Sequence, residues 1–312
     1  MKSLALLIFA GCVVAADLPV SGPVLGYVLD GSIHRVRPVL GIPGAAVMGH
    51  PLDVGADVYQ AVFSPGGNYV LALAGDSRAP MLIVPNRPAA AITGAQAAPD
   101  QMALSPQGTA AALYFQSAAT VEILTGLPGA AAVARTVDVS GVPSAPVAIA
   151  VSDDGNALVA VVGGDAPALY AFASDGTMSR VALSETVAAV AFLNRAQDVV
   201  LGGVSDAFLL QDVLGAQTLT ALVSDGLQSP VALAVAADNT RAFALNSNLS
   251  GVVTLDLGGG PAALADCGCT ATGLAQMNGN ATFRLTDYTG DPMLVFDAGV
   301  SNTRVLFVPP AV

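Results

Sequence analysis

The chain reads as an all-β protein: a β-propeller of four-stranded antiparallel blades, seven blades favoured over six, preceded by an export signal. Three observations lead there. A segment of one shape recurs six times at a period of roughly 40–45 residues. Each unit divides into short apolar runs separated by turns of Gly, Pro, Asp and Asn. One run per unit is apolar at every position instead of at alternate ones, as expected of a strand covered on both faces.

The recurring segment is an apolar run that ends in a small polar turn. It appears as Ala61-Val62-Phe63-Ser64-Pro65-Gly66-Gly67, Met102-Ala103-Leu104-Ser105-Pro106-Gln107-Gly108 and Ile149-Ala150-Val151-Ser152-Asp153-Asp154-Gly155. Three weaker copies follow, Val190 to Arg195, Leu233 to Asn239 and Leu274 to Asn280. The equivalent positions are 64, 105, 152, 193, 236 and 277, with spacings of 41, 47, 41, 43 and 41 residues. The long interval contains Gly141-Val142-Pro143-Ser144-Ala145-Pro146, which reads as a loop insertion.

Four strands fit one unit. In the third copy they are expected at 147–151, 157–162, 168–173 and 178–183, with turns at Asp153-Asp154-Gly155-Asn156 and Ser174-Asp175-Gly176-Thr177. Asp-Gly favours a hairpin because both residues tolerate positive φ, and the dipeptide recurs at Asp30-Gly31 and Asp225-Gly226. The second strands are expected at 69–74, 110–115, 198–201 and 241–245. They lack polar alternation, as blades stacked against each other require. The N-terminal stretch, with strands at 25–29 and 32–36, looks like the outer half of a further blade. The last copy runs through 282–285, 293–296 and 304–308. The two ends of the chain then meet to close the ring, leaving no free sheet edge at the join.

The anchors Phe63-Ser64-Pro65-Gly66-Gly67, Leu104-Ser105-Pro106-Gln107-Gly108 and Val151-Ser152-Asp153-Asp154-Gly155 resemble the bacterial YVTN/WD40-like propeller repeat family. The resemblance covers nearly all of the chain after the signal. It implies an extracytoplasmic or scaffold role, with lactonases and dehydrogenases among the relatives.

Met1-Lys2-Ser3 is a positive n-region, and Leu4 to Ala16 is an apolar run of 13 residues, short for a bilayer span and suited to a signal peptide. Cleavage after Val14-Ala15-Ala16 makes residues 1–16 a signal peptide and 17–312 a single propeller domain, periplasmic or secreted. Phe9-Ala10-Gly11-Cys12 partly resembles a lipobox, so a lipid anchor at Cys12 is the alternative. No later apolar stretch reaches the length of a transmembrane helix. With 54% hydrophobic residues the chain is not disordered. Acids outnumber bases 23 to 11, so nucleic acid is not an expected partner.

Chemistry is sparse. No nucleophile elbow, zinc-protease helix, phosphate loop or dinucleotide fingerprint occurs. The two histidines, His34 and His50, are expected on an outer strand and in a loop. No metal site and no cofactor are expected. Asp153-Asp154-Gly155-Asn156 has too few oxygens for a calcium loop and reads as a turn. Cys267-Gly268-Cys269 holds the only cysteines after the signal. In an oxidising compartment these read as a disulfide, with a reduced, redox-active or metal-binding pair as alternatives. A ligand site belongs on the loops that precede each first strand or follow each second strand, where the polar candidates are Gln60, Asp76, Arg78, Gln101, Asp165, Glu185, Asp206 and Asn246. These features suggest an exported, non-enzymatic scaffold that binds a partner protein or surface glycan. The alternative is a hydrolase or lactonase working at the channel mouth.

Overall fold

A computed structural model describes residues 22–299 and 303–311. Residues 1–21, which hold the expected signal peptide, its cleavage site and Cys12, lie outside the described residues. Seven antiparallel sheets follow one another along the chain, at 24–48, 58–91, 101–138, 148–182, 187–222, 232–266 and 275–308. We call them blades 1 to 7. Blades 2 to 7 have four strands each, and blade 1 has three among the described residues. In blade 4 the strands are Ala148–Val151, Leu158–Val162, Ala168–Phe172 and Met178–Ala182, within one residue of the sequence expectation at every end.

The repeated anchor is a hydrogen-bonded turn between the first and second strands of each blade. Backbone N–H groups at 64, 105, 152, 193, 236 and 277 donate to the carbonyl five residues later, at Tyr69, Ala110, Ala157, Asp198, Arg241 and Thr282. The sequence period is therefore the structural period. Where the anchor is Ser, its hydroxyl works as well. Ser64 Oγ accepts from Asn68 N and Tyr69 N at 2.9 and 3.0 Å, and Ser105 Oγ from Thr109 N and Ala110 N, both at 3.1 Å. The turn closes three residues after the anchor at Gly67, Gly108 and Gly155, whose φ values of +63°, +70° and +70° suit glycine. Ser105 is buried, so Ser105→Ala leaves two N–H groups short of an acceptor. The expected loss of stability is roughly 1–3 kcal/mol, read from the urea unfolding midpoint; no change in midpoint would show that the hydroxyl is dispensable.

The second strands explain the missing alternation. Successive side chains point to opposite faces of a strand. In blade 4, Leu158, Ala160 and Val162 pack toward blade 3, while Val159 and Val161 pack toward blade 5. Both faces are interior, and all five residues of this strand are buried. The core is thus seven apolar interfaces, one between each pair of adjacent blades. The interface of blade 7 with blade 1 unites Met277, Met293 and Val295 with Leu25, Val28 and Val39, and it closes the ring.

Among the described residues blade 1 begins with the counterpart of a second strand. Val24–Asp30 is buried like a second strand. Leu25 O accepts from Asn278 N as Asn280 O accepts from Ala237 N one blade earlier. The stretch expected to be an outer half-blade of two strands is thus a sheet of three, Val24–Asp30, Arg35–Ile42 and Ala45–Met48, and its first turn also differs. Residues 32–34 are not strand. Ser32 N and Oγ both donate to Asp30 Oδ1, at 3.1 and 2.6 Å, which fixes a turn, and the next strand is Arg35–Ile42. His34, expected on a strand, sits in this turn at φ +51°. Asp225-Gly226 makes no hairpin. It lies in the connection from blade 5 to blade 6, where Gly226 O accepts from Asn246 Nδ2.

Candidate functional site

The antiparallel order gives the ring two faces. One carries the turns between first and second strands. The other carries the loops between second and third strands and the connections between blades. First strands of blades 3 to 6 wall the central channel, a cavity of about 180 Å3 lined by Leu104, Ile149, Val190 and Leu233 with their neighbours. Those walls are apolar, since inner strands crowd together where the blades converge.

The turn face is tied into a belt. Asp153 accepts Gln107 N at Oδ1 and Arg195 N at Oδ2, both at 2.7 Å, joining blades 3, 4 and 5. Asn239 Oδ1 accepts from Asn194 N, and Asn280 Oδ1 from Asp238 N, continuing through blades 6 and 7. Asp154 accepts from Ser152 Oγ and Asn156 N. The carboxylates of the segment weighed for calcium are thus occupied within and between turns. Among the described residues no group of three or more His, Cys, Asp and Glu is placed to hold a metal ion.

These bonds set the charge state of the acids. Burial pushes the Asp154 carboxyl up, but the Ser152 hydroxyl and the Asn156 N–H groups more than offset it, leaving it below the usual carboxylate range. Asp238 behaves alike, with burial opposed by Thr240, Asn280 and Arg241. Asp138 and Asp175, at the surface, are lowered by the backbone N–H groups of Ser140 and Thr177. A folded-state pKa below the unfolded value means a contribution that is complete above the unfolded value, about 3.9, and lost as pH falls through the folded one. The melting temperature is expected to drop as pH falls below about 4. A melting temperature unchanged down to pH 2 would contradict this.

The sequence-derived candidates separate in space. Gln60 and Arg78 flank Tyr59 where blades 7, 1 and 2 meet on the loop face; the Arg78 guanidinium lies 5.8 Å from the Tyr59 ring centre. Asp76 is exposed on the same loop as Arg78. Glu185, in the connection from blade 4 to blade 5, comes together with Asp206 and caps a blade 5 loop by accepting from Ser205 N and Asp206 N. Gln101 Nε2 donates to Pro146 O at 2.9 Å, linking blades 3 and 4. Asp165 is exposed on a loop of blade 4. Asn246 is only 1% exposed, and its side-chain amide holds Gly226 O and Gln228 N. Cys267 and Cys269 are disulfide-bonded, between the last strand of blade 6 and the first of blade 7.

The richest constellation is the cleft beside Gln60, about 310 Å3, lined by Tyr59, Gln60, Phe63, Arg284, Asp287 and Tyr288 among others. The Arg284 guanidinium stacks over Phe63 at 5.3 Å, and Arg37 over Tyr288 at 5.6 Å. The His34 ring lies 5.2 Å from Tyr59. Of these residues the sequence reading singled out Gln60 as a site candidate. Arg284 and Tyr288 are more than 220 positions away from Tyr59, and no local motif marks them. The scarcity of Arg in an acidic chain is the one sequence signal that could have drawn notice.

No family model matches the chain, and no curated protein does. Solved structures do. A chain of Kuenenia stuttgartiensis hydrazine synthase is similar over 97% of this chain and 100% of its own, with a TM-score of 0.61 at 12% identity. A functionally unknown protein from Desulfotomaculum acetoxidans DSM 771 is similar over 92% and 99%, with a TM-score of 0.58 at 13% identity. At such identities the likeness is one of fold: the chain is a seven-bladed β-propeller.

Proposed function

We propose that the protein is an exported binding module, a propeller that recognises a surface glycan or partner protein without chemically changing it, related to the YVTN/WD40-like repeat propellers. The single observation that carries this reading is the division of labour among polar groups. Several acids have the job of capping turns, and those shifted below the ordinary range stay charged where a general acid must hold a proton. The channel wall is apolar. The cleft beside Gln60 on the loop face is lined by aromatic rings, an amide and a guanidinium, a set suited to holding a ligand. The apolar run at the N-terminus and the Cys267–Cys269 disulfide favour an oxidising, extracytoplasmic location.

The test pairs binding with turnover. The immobilised protein is presented to a glycan array, and a panel of lactones and glycosides is incubated with it and followed by mass spectrometry. Retention of a glycan subset with all substrates intact is expected. Catalytic turnover of any panel member would overturn the reading in favour of a channel-mouth hydrolase. No helix among the described residues is long and apolar enough to cross a membrane, and the reading needs none.

A further inference from the structure

We propose that the cleft between blades 7, 1 and 2 is a binding site for a sugar acid, held by its carboxylate on Arg284. This deepens the binding reading above and rests on it.

The distribution of cations comes first. The chain has ten arginines, two histidines and a net charge of −12. Arg35, Arg37, Arg78, Arg284 and His34 nevertheless gather around Tyr59 and Tyr288. Arg35 and Arg37 are paired with Asp57 and Asp30. Among the described residues Arg78 has no ion-pair partner; it stacks on Tyr59. The ring junction thus gathers four of the ten arginines, three of them paired with an Asp and the fourth, Arg78, resting on an aromatic ring.

Arg284 is the second observation. Its side chain is 13% exposed. Burial lowers its pKa, with Asp287 opposing. Asp287 Oδ1 lies 2.7 Å from Nη1, yet Nη1 has no hydrogen-bond acceptor in a favourable direction. A buried guanidinium is therefore neutralised by a misaligned partner. That partner is itself 55% exposed, on the loop between Leu285 and Met293. A ligand carboxylate taking the place of Asp287 supplies what is missing, since two parallel N–H···O bonds match the guanidinium fork.

The remaining walls select a sugar. Tyr59 is 39% exposed and offers an aromatic surface beside the cation. The exposed Gln60 amide carries both donors and an acceptor, which suits neighbouring hydroxyls. The volume stands at the lower end of small-ligand sites, roughly 300–1,000 Å3. Tyr288 bridges to Asp30, so the backbone at Asp30 is already engaged and does not offer an extended peptide a free edge for strand addition.

Titration calorimetry on the full chain tests this with trigalacturonate, the neutral galactose trisaccharide and the peptide N-acetyl-Ala-Phe. Trigalacturonate is expected to bind and the other two are not. Arg284→Gln should weaken binding at least about tenfold, the worth of a charge-assisted hydrogen bond, at an unchanged melting temperature. Asp287→Asn should tighten it by removing the competing anion. If Arg284→Gln fails to fold, Tyr59→Ala and Gln60→Ala, both at exposed positions, must each weaken binding several-fold. Equal binding of the neutral sugar, indifferent to Arg284→Gln, overturns the carboxylate inference and leaves the binding module standing. Preferential binding of the peptide overturns the sugar assignment. No binding of any probe overturns the site, and cleavage of trigalacturonate overturns the non-catalytic reading itself.

Discussion

Phe243→Ala is expected to lower the unfolding free energy by about 3–5 kcal/mol, the usual cost of emptying a buried aromatic position. Phe243, on the second strand of blade 6, is fully buried. Its ring centre lies 4.9 Å from that of Phe283 and 5.8 Å from that of Phe296, both buried in blade 7. Removing it takes the central ring from the blade 6–blade 7 interface and withdraws the aromatic face beneath the Arg241 guanidinium. Second strands are covered on both sides, so the backbone cannot readily collapse into the void. Urea unfolding followed by far-ultraviolet circular dichroism reads the loss. A change below about 1 kcal/mol would mean that the interface repacks and that the three rings do not act together.

Asp30→Ala should be nearly as damaging, for an electrostatic reason. Asp30 closes the ring on the loop face. Its Oδ2 accepts from Arg37 Nε at 2.8 Å, its Oδ1 takes both the N–H and the hydroxyl of Ser32, and its backbone bridges to Tyr288 of blade 7. Burial pushes its carboxyl up, but Ser32 and Arg37 together hold it below the ordinary value. The two side chains are only 3% and 14% exposed, so removing the acid strands a largely buried cation. Breaking a buried pair in this way costs about 3–5 kcal/mol. The double variant Asp30→Ala with Arg37→Met lacks the same turn bonds but leaves no uncompensated charge, and it should recover much of the loss. If the double variant is no more stable than Asp30→Ala, the damage comes from the lost turn at Ser32 instead of the stranded charge.

Much of the fold was legible. The anchor positions were read from three Ser-containing copies and three degenerate ones, and the structure uses the same six positions for one backbone hydrogen bond. That bond needs only a peptide N–H, so Leu193, Ala236 and Met277 serve as well as Ser; spacing survives where residue type does not. The turn at Ser32 was not legible, because Ser32 to Val36 follows the turn dipeptide Asp30-Gly31 and so reads as the return strand of a hairpin, and the competing Asp30–Ser32 bonds leave no mark in the sequence pattern. The candidate site was least legible. Gln60 stood at the right end of a strand, but Asn246, chosen by the same rule, is buried, and its polar atoms serve backbone groups.

The sequence alone determined the period, the strand order within each blade, the double-sided burial of the second strands and the acidity of the chain. All of these follow from local spacing and composition, because each blade repeats the same short-range hairpins. Only the tertiary structure decided how the ring closes and what its junction holds. Blade 1 meets blade 7 through residues about 250 positions apart, and that closure brings Arg284, Asp287 and Tyr288 to Tyr59 and Gln60. Periodicity reports what neighbours along the chain repeat. The junction is the one place where the repeat stops and starts again, so its chemistry is set by packing across the gap and not by any pattern within the sequence.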